Sequence, residues 1–222
     1  MADGVWVVRG GLPRRAINVF LIEGPDGVTA FDSGMRGMGR AVAAMAEPLG
    51  GIVRVVLSHA HPDHRGGAPA IAAPTVCHPG ERDDVEGDGG ARYFDGRAGA
   101  PLDRLRVFAL QRLVDGGPVA VAEVVEESDE VAGFTVVHLP GHAPGLIALW
   151  RERDELALAS DAFTTQPRGA PRLARPCYSD DSDQARATLL RLAGLEPATA
   201  WPAHGQPLTG RVRGALERAA AR

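Results

Sequence analysis

Residues 52–64 have the sequence IVRVVLSHAHPDH, in which an apolar run is followed at once by a dense group of polar side chains. The apolar part is short and rich in β-branched residues, which predicts a buried strand. Three histidines and an aspartate then fall within six residues, at His59, His61, Asp63 and His64. Histidine is the commonest metal ligand among side chains, so this pattern predicts a metal site in the loop that follows the strand.

The spacing within this motif makes a site for two metal ions geometrically reasonable. Along an extended segment alternate side chains point the same way, so His59 and His61 can reach one cation. The turn that follows returns Asp63 and His64 from a different direction, toward a second cation. The alternative is a group of solvated histidines beside a helix that begins at Pro62. A helix cap needs only one polar side chain, however, and would leave three imidazoles without a role.

A hairpin whose second strand ends in an aspartate occurs on each side of this motif. Two β-branched or aromatic runs around a Gly-Pro-Asp-Gly turn occupy residues 17–31 and lead to Asp32. A similar arrangement at 146–159 leads to Asp161. The repetition predicts a pseudo-symmetric core of two sheets with helices outside, in a single domain over 1–222.

The remaining segments alternate between helical and strand patterns. Helices are predicted at 35–49, 68–72, 102–113 and 183–192, and further strands at 75–77 and 134–139. No helix or strand is predicted for the tail from 210 to 222. The least regular segment is 80–132, which we interpret either as solvated loops and helix faces or as a lid insertion over a site. The lid side chains that would contact a substrate are Tyr93, Phe94, Leu105, Phe108, Arg92 and Arg97.

Composition excludes several classes of function. The 222 residues carry a net charge of −4, which disfavours binding to nucleic acid or an anionic membrane. Every basic residue is arginine, so Schiff-base chemistry and a Walker-type phosphate loop are excluded. The two cysteines form no CxxC pair, and no apolar run approaches the roughly 20 residues of a membrane span. We therefore expect a cytoplasmic protein that acts on a small molecule.

Three downstream motifs complete a recognisable pattern. His142 lies in Pro-Gly-His-Ala-Pro-Gly, Asp161 in Ser-Asp-Ala, and His204 in Pro-Ala-His-Gly. Together with the HxHxDH motif and Asp32, they make the sequence resemble the metallo-β-lactamase superfamily from about residue 17 to residue 205. The resemblance implies an α/β fold, a four-layer αβ/βα sandwich of two mixed sheets with helices outside.

The same resemblance implies a ligand set. One metal ion would be bound by His59, His61 and His142, the other by Asp63, His64 and His204, and Asp161 would bridge the two. Asp32 would orient the histidine loop from behind. The other histidines, His78 and His138, are interpreted as structural. Without the family, the same five histidines and two aspartates are the residues that could together build a site for two metal ions.

Two adjacent cations indicate hydrolysis, because a water shared between them ionises near neutral pH. We expect two divalent ions, Zn²⁺ before Fe or Mn, and a bridging hydroxide that attacks the carbonyl of a thioester, ester or lactone, as in glyoxalase II-like enzymes. Asp63 is the expected proton-handling residue. Lactonases of this family place a tyrosine where Thr164 stands, which disfavours a typical acyl-homoserine lactonase.

A second class of enzyme resembles the sequence at the same motifs. In a mononuclear iron oxygenase of the persulfide dioxygenase type, His59, His142 and Asp161 would form a two-histidine, one-carboxylate triad. The loop after Asp161 also carries Arg168, Arg172 and Arg175. We interpret these arginines as solvated, with pairing to a substrate carboxylate as the alternative.

Overall fold

Two six-stranded sheets form the centre of the protein in a computed structural model that describes residues 2–12, 15–91, 109, 111–166 and 169–222. The first sheet consists, in spatial and chain order, of β1 (Val5–Gly10), β2 (Ile17–Gly24), β3 (Gly27–Phe31), β4 (Ile52–Val56), β5 (Thr75–Cys77) and β6 (Val121–Val124). The second consists of β7 (Glu130–Val131), β8 (Phe134–His138), β9 (Ile147–Arg151), β10 (Leu156–Ser160), β11 (Thr199–Pro202) and β12 (Leu208–Thr209).

Helices cover the outer faces of the sheets. Among the described residues the helices of the chain are α1 (Gly39–Ala46), α2 (Pro62–Arg65), α3 (Ala68–Ile71), α4 (Arg82–Val85), α5 (Ser182–Gly194) and α6 (Val212–Ala220), and residues 111–114 are also helical. The short α2 lies within the HxHxDH motif and not on a sheet face. The prediction of a four-layer sandwich is therefore confirmed.

The strands are apolar on both faces because both faces are covered. In β2, Phe20 and Ile22 point toward the second sheet, whereas Val19 and Leu21 point toward α1. In β10, the leucines face the first sheet and the small residues Ala157 and Ala159 face α5 and α6. Sheet-on-sheet packing thus forms a central core between two helix-on-sheet cores.

The two hairpins occupy equivalent places in their sheets. β2 and β3 are antiparallel, and β3 is parallel to β4 after a crossover through α1. In the second sheet β9 and β10 are antiparallel, and β10 is parallel to β11 after a crossover through α5. The predicted repetition is therefore real, and it places Asp32 and Asp161 at the ends of corresponding strands.

Some sequence predictions were wrong or incomplete. The segment 210–222 contains α6, in which Val212, Leu216 and Ala219 are buried, rather than a tail without structure. β1 was missed. The predicted helix 35–49 is shorter, because it begins at Gly39 and ends in a 3-10 turn at Glu47–Leu49.

The irregular segment 80–132 is only partly described. Its two ends contain α4 and β6, and β6 is the edge strand of the first sheet, paired with β5. Most of the predicted helix 102–113 and all six proposed lid side chains lie outside the described residues. The lid therefore stays a prediction.

Gly67 allows the loop after β3 to pack directly on the start of α3. A Cβ atom at this position would lie 2.1 Å from the carbonyl oxygen of Ser33, and the backbone φ of −84° is ordinary, so only space is at issue. We expect Gly67→Ala to lower the free energy of unfolding by about 1–3 kcal/mol. Gly194→Ala, at the end of α5 where no atom would lie within 4 Å, is the matched control and should be neutral or stabilising. Urea denaturation of both variants gives the comparison, and equal effects would contradict this account.

Candidate metal centre

The polar motifs meet at one end of the two sheets. The HxHxDH loop follows β4, His142 follows β8, Asp161 follows β10, and His204 follows β11. Each motif comes directly after a strand, so the strand ends fix the position of each side chain. A cavity of 620 Å³ opens there, and five of the predicted ligands line it, namely His61, Asp63, His142, Asp161 and His204.

His59, His61 and His142 form a first group whose ligand atoms lie within 4.8 Å of one another. Nδ1 of His61 is 3.1 Å from Nε2 of His142. The ring of His59 packs against both, with centroid distances of 4.4 and 4.9 Å. All three side chains are buried. The structure therefore brings together the three histidines that the resemblance implied for one ion.

Asp63, His64 and His204 form a second group of the same size. Nε2 of His204 is 3.2 Å from Oδ2 of Asp63, and Nε2 of His64 is 3.9 Å from Oδ1 of Asp63. His64 is fully buried, whereas Asp63 and His204 are partly exposed on the cavity side. This group therefore forms the more open half of the centre.

Asp161 lies between the two groups. Its Oδ2 atom is 3.4 Å from Nε2 of His142 and 3.5 Å from Nε2 of both His64 and His204. One carboxylate oxygen thus faces a histidine of the first group and two of the second. The preceding residue, Ser160, has a φ of +46°, a left-handed conformation that turns the chain at the end of β10.

Asp32 lies behind the second group and is almost fully buried. Its Oδ2 atom accepts a hydrogen bond from Nδ1 of His64 at 2.8 Å, and its Oδ1 atom accepts one from the amide of Ser58 at 2.8 Å. In His204, Nδ1 donates to the carbonyl oxygen of Ala16 at 2.7 Å. Each bond occupies the ring nitrogen that is remote from the cluster, so Nε2 is left to face it.

Burial and charge set opposite protonation states in the two groups. Burial is the main reason that the pKa values of His59, His61 and His142 are lowered, so these imidazoles are neutral at pH 7. Burial opposes the charge of His64 as well, but the carboxylate of Asp32, with those of Asp63 and Asp161, raises the pKa of His64 to about 10. The pKa of His204 is also raised, mainly by Asp161 against the effect of burial. A cation bound at the second group would displace these protons.

The donor set fits divalent metal ions. Among the described residues, Nε2 of His59, Nε2 of His64 and Oδ1 of Asp161 are buried without a hydrogen-bond partner. Buried polar atoms are rarely left unsatisfied, and these converge on one place. Imidazole nitrogens with carboxylate oxygens are typical ligands of zinc and of iron. The cluster is therefore a candidate site for divalent metal ions.

His78 and His138 belong to none of the candidate metal groups among the described residues. Their rings stack on each other with a centroid distance of 4.0 Å, and Nε2 of His138 donates to the carbonyl oxygen of Pro144 at 2.8 Å. Burial, with the neighbouring His138, lowers the pKa of His78 to about 4. Both residues support the loop that carries His142, in agreement with the structural role expected for them.

Sequence reasoning missed Glu81, which is fully buried close to the cluster. Its carboxylate accepts hydrogen bonds from the amides of Ala60 and Gly145. The only sequence signal was a carboxylate next to a Pro-Gly turn, which is usual for an exposed residue, so nothing set Glu81 apart from its acidic neighbours.

The cavity beside the cluster is mainly apolar. Leu12, Met35, Val114, Phe163 and Leu173 contribute to its walls, and two of the predicted arginines, Arg172 and Arg175, also line it. Backbone hydrogen bonds in both directions between Thr164 and Arg172 hold this part of the loop near Asp161. Arg168 lies outside the described residues.

Fold and site together define a class of protein, an αβ/βα sandwich with a histidine and aspartate cluster, a candidate metal centre, at the ends of its strands. The profile of the metallo-beta-lactamase superfamily matches residues 12–204, and the chain belongs to that family.

Two curated proteins of Bacillus subtilis (strain 168) are similar over most of the chain. The probable metallo-hydrolase YqjP is 26% identical in an alignment of 216 positions, and the match covers 86% of this chain and 67% of YqjP. The probable metallo-hydrolase YflN is 27% identical in an alignment of 224 positions, and the match covers 90% of this chain and 85% of YflN.

Solved structures share the fold. The metallo-beta-lactamase family protein TTHA1429 from Thermus thermophilus superposes with a TM-score of 0.72 at 23% identity, covering 99% of this chain and 79% of that one. The di-iron-bound form of TTHA1623 gives a TM-score of 0.71 at 25% identity, covering 96% of this chain and 98% of that one.

In the described part of this chain, none of the helices has the length and apolar character needed to cross a membrane.

Proposed function

We propose that the protein is a hydrolase with two metal ions that cleaves the carbonyl–oxygen or carbonyl–sulfur bond of a small ester, thioester or lactone. The observation that carries the proposal is the position of Oδ2 of Asp161, within 3.5 Å of imidazole nitrogens from both ligand groups. A carboxylate placed in this way is suited to bridge two cations. Metallo-hydrolase relatives and a di-iron-bound structural neighbour support the same class of chemistry.

The protein side chains would divide the work between binding and proton transfer. When bound, the ions would act as Lewis acids and would lower the pKa of a shared water. His59, His61 and His142 would hold one ion in the buried half, and the second group would hold the other next to the cavity. Asp63, partly exposed there, is the residue that we propose to move a proton after attack. We propose zinc as the native metal, with iron and manganese as alternatives.

The cavity walls suggest what the substrate carries. Apolar side chains favour an acyl or aryl body, and the guanidinium groups of Arg172 and Arg175 would attract a negative group on it. A test panel should therefore contain neutral esters and thioesters as well as ones that carry a carboxylate.

The mononuclear iron oxygenase is the less well supported alternative. It would use His59, His142 and Asp161, and would give no function to the complete second group of Asp63, His64 and His204. The arrangement of that second group is the reason to favour hydrolysis.

Metal removal tests the proposal. Protein stripped with a chelator and then reloaded should bind two zinc ions per chain. It should hydrolyse at least one member of a panel of nitrophenyl esters, acyl-thiol conjugates and lactones. We expect the stripped protein to lose at least about 99% of this activity, because only the ions supply the nucleophile at neutral pH. One iron per chain, with oxygen consumed in the presence of glutathione persulfide and no hydrolysis, would support the oxygenase instead.

A further inference from the structure

Two buried carboxylates lie directly behind the candidate centre without belonging to its ligand groups. Asp32 contacts the second group through His64. Glu81, which is 0% exposed, lies behind the first group and accepts hydrogen bonds from two backbone amides. Oε2 accepts from the amide of Ala60 at 2.8 Å, and Oε1 accepts from the amide of Gly145 at 2.7 Å.

These two amides belong to the two loops that carry the first ligand group. Ala60 lies between His59 and His61 in the loop after β4, and Gly145 lies three residues after His142 in the loop between β8 and β9. The loop that contains Ala60 follows a strand of the first sheet, and the loop that contains Gly145 joins two strands of the second sheet. One side chain therefore connects the sheets at the place where the three histidines must converge.

The packing around Glu81 leaves little freedom for this connection. A Cβ atom at position 145 would lie 2.8 Å from Cγ of Glu81 and 2.9 Å from Nδ1 of His78, and a Cβ atom at Gly80 would lie 3.3 Å from the Cα atom of Gly145. The turn that carries Glu81 thus lies directly against the His142 loop. A hydrogen bond from His138 to the carbonyl oxygen of Pro144 also holds this loop.

Two amides that donate to one buried carboxylate form strong, short bonds, and they also offset the cost of burying the charge. A glutamine at this position would keep one accepting oxygen but would present an NH₂ group to the other amide, which also donates. That amide would be left unpaired or pushed away, and the distance between the loops would change.

We propose that Glu81 is a positioning residue that sets the separation between His142 and the His59–His61 pair, and thereby the affinity of the first metal position. The proposal rests on the two-metal site proposed above, but it concerns binding of the ions and not turnover. Asp32 would have the corresponding role for the second position.

The test measures zinc affinity in proteins that retain one complete ligand group. His204→Ala keeps the first group intact, and His142→Ala keeps the second. We expect Glu81→Gln to weaken zinc binding by about 10- to 100-fold in the His204→Ala background, as is usual for groups that orient ligands, and by less than about threefold in the His142→Ala background. Asp32→Asn should weaken zinc binding in the His142→Ala background, where its partner His64 is a ligand. Competition with a chromophoric chelator measures the affinities, and circular dichroism checks that each variant is folded.

The site-selective pattern separates positioning from a general effect on folding. Equal weakening by Glu81→Gln in both backgrounds, or no weakening in either, would overturn the proposal. Should Glu81→Gln unfold the protein, Glu81→Asp, too short to reach both amides, would be tested by the same criterion. A protein that binds zinc with this pattern but hydrolyses no member of the panel would contradict only the proposed function.

Discussion

Asp161→Asn is expected to lower kcat/KM for any hydrolysed substrate by about a thousandfold or more. Asparagine preserves the volume of the side chain but removes the charge that faces His64, His142 and His204 at 3.4–3.5 Å. Without a shared carboxylate, the two ligand groups would no longer hold their ions as a pair. The chain should then retain fewer than two zinc ions after dialysis, which metal analysis measures alongside steady-state kinetics.

Asp26→Asn provides the matched control for this prediction. Asp26 is an exposed carboxylate in the turn between β2 and β3, far in sequence from any ligand, so the same chemical change there should leave activity and zinc content unaltered. If Asp161→Asn retained full activity with two zinc ions, Asp161 would not be the bridging group and the proposed mechanism would be wrong.

Local patterns in the sequence were sufficient to predict most of the fold. Strands such as β4 and β10 are short apolar runs that end in polar motifs. Glycines mark the turn of the first hairpin, and charged residues mark the turn of the second. β1 was missed because its apolar run, Val5 to Val8, is only four residues long and is followed at once by Arg9 and Gly10. Helix α6 could have been predicted, because alanine and arginine favour helices and Val212, Leu216 and Ala219 are spaced as one helical face.

The candidate site was predicted from single residues, and their meeting in space was not visible in the sequence. His142, Asp161 and His204 are separated by up to 62 residues, and only the topology of the second sheet brings their strand ends together. The resemblance to a family supplied this convergence, since composition and spacing could not. The hydrogen bonds that Glu81 accepts could not be predicted either. Their donors are backbone amides, which leave no signal in the pattern of side chains.

Arg65, the residue after His64, connects the HxHxDH loop to other parts of the fold. A second prediction with a large expected effect follows from its contacts. Its side chain is fully buried. Nη1 donates to the carbonyl oxygens of Asp84, Val85 and Gly87 at 2.7, 2.8 and 3.1 Å. Nη2 and Nε donate to the carboxylate of Asp115 at 2.9 and 3.3 Å. One guanidinium group thus connects α2 to two segments that are distant in sequence.

Arg65→Met is expected to lower the free energy of unfolding by about 3–5 kcal/mol, because the carboxylate of Asp115 and three carbonyl oxygens lose their charged donor. The amides of Gly89, Val119 and Gly117 still donate to Asp84, Val85 and Asp115, but they cannot replace the charge of the guanidinium group. Arg65→Lys should also destabilise the protein, since an ammonium group cannot reproduce the planar fork that serves both sides. Urea denaturation of the metal-free protein at pH 7 measures both effects without a contribution from bound ions. Arg40→Met, at an exposed position of α1, is the matched control and should change stability by less than about 0.5 kcal/mol.

The double variant Arg65→Met/Asp115→Asn distinguishes the ion pair from the carbonyl contacts. If part of the cost comes from the charge that is left on Asp115, neutralising it should recover about 1 kcal/mol or more, because the two side chains are coupled through direct contact. The remaining loss would then belong to the carbonyl oxygens of residues 84, 85 and 87, which no substitution at Asp115 can satisfy. If the losses of unfolding free energy from Arg65→Met and Asp115→Asn simply add in the double variant, the ion pair contributes nothing. Arg65 would then stabilise the HxHxDH loop through its contacts with backbone carbonyl oxygens alone.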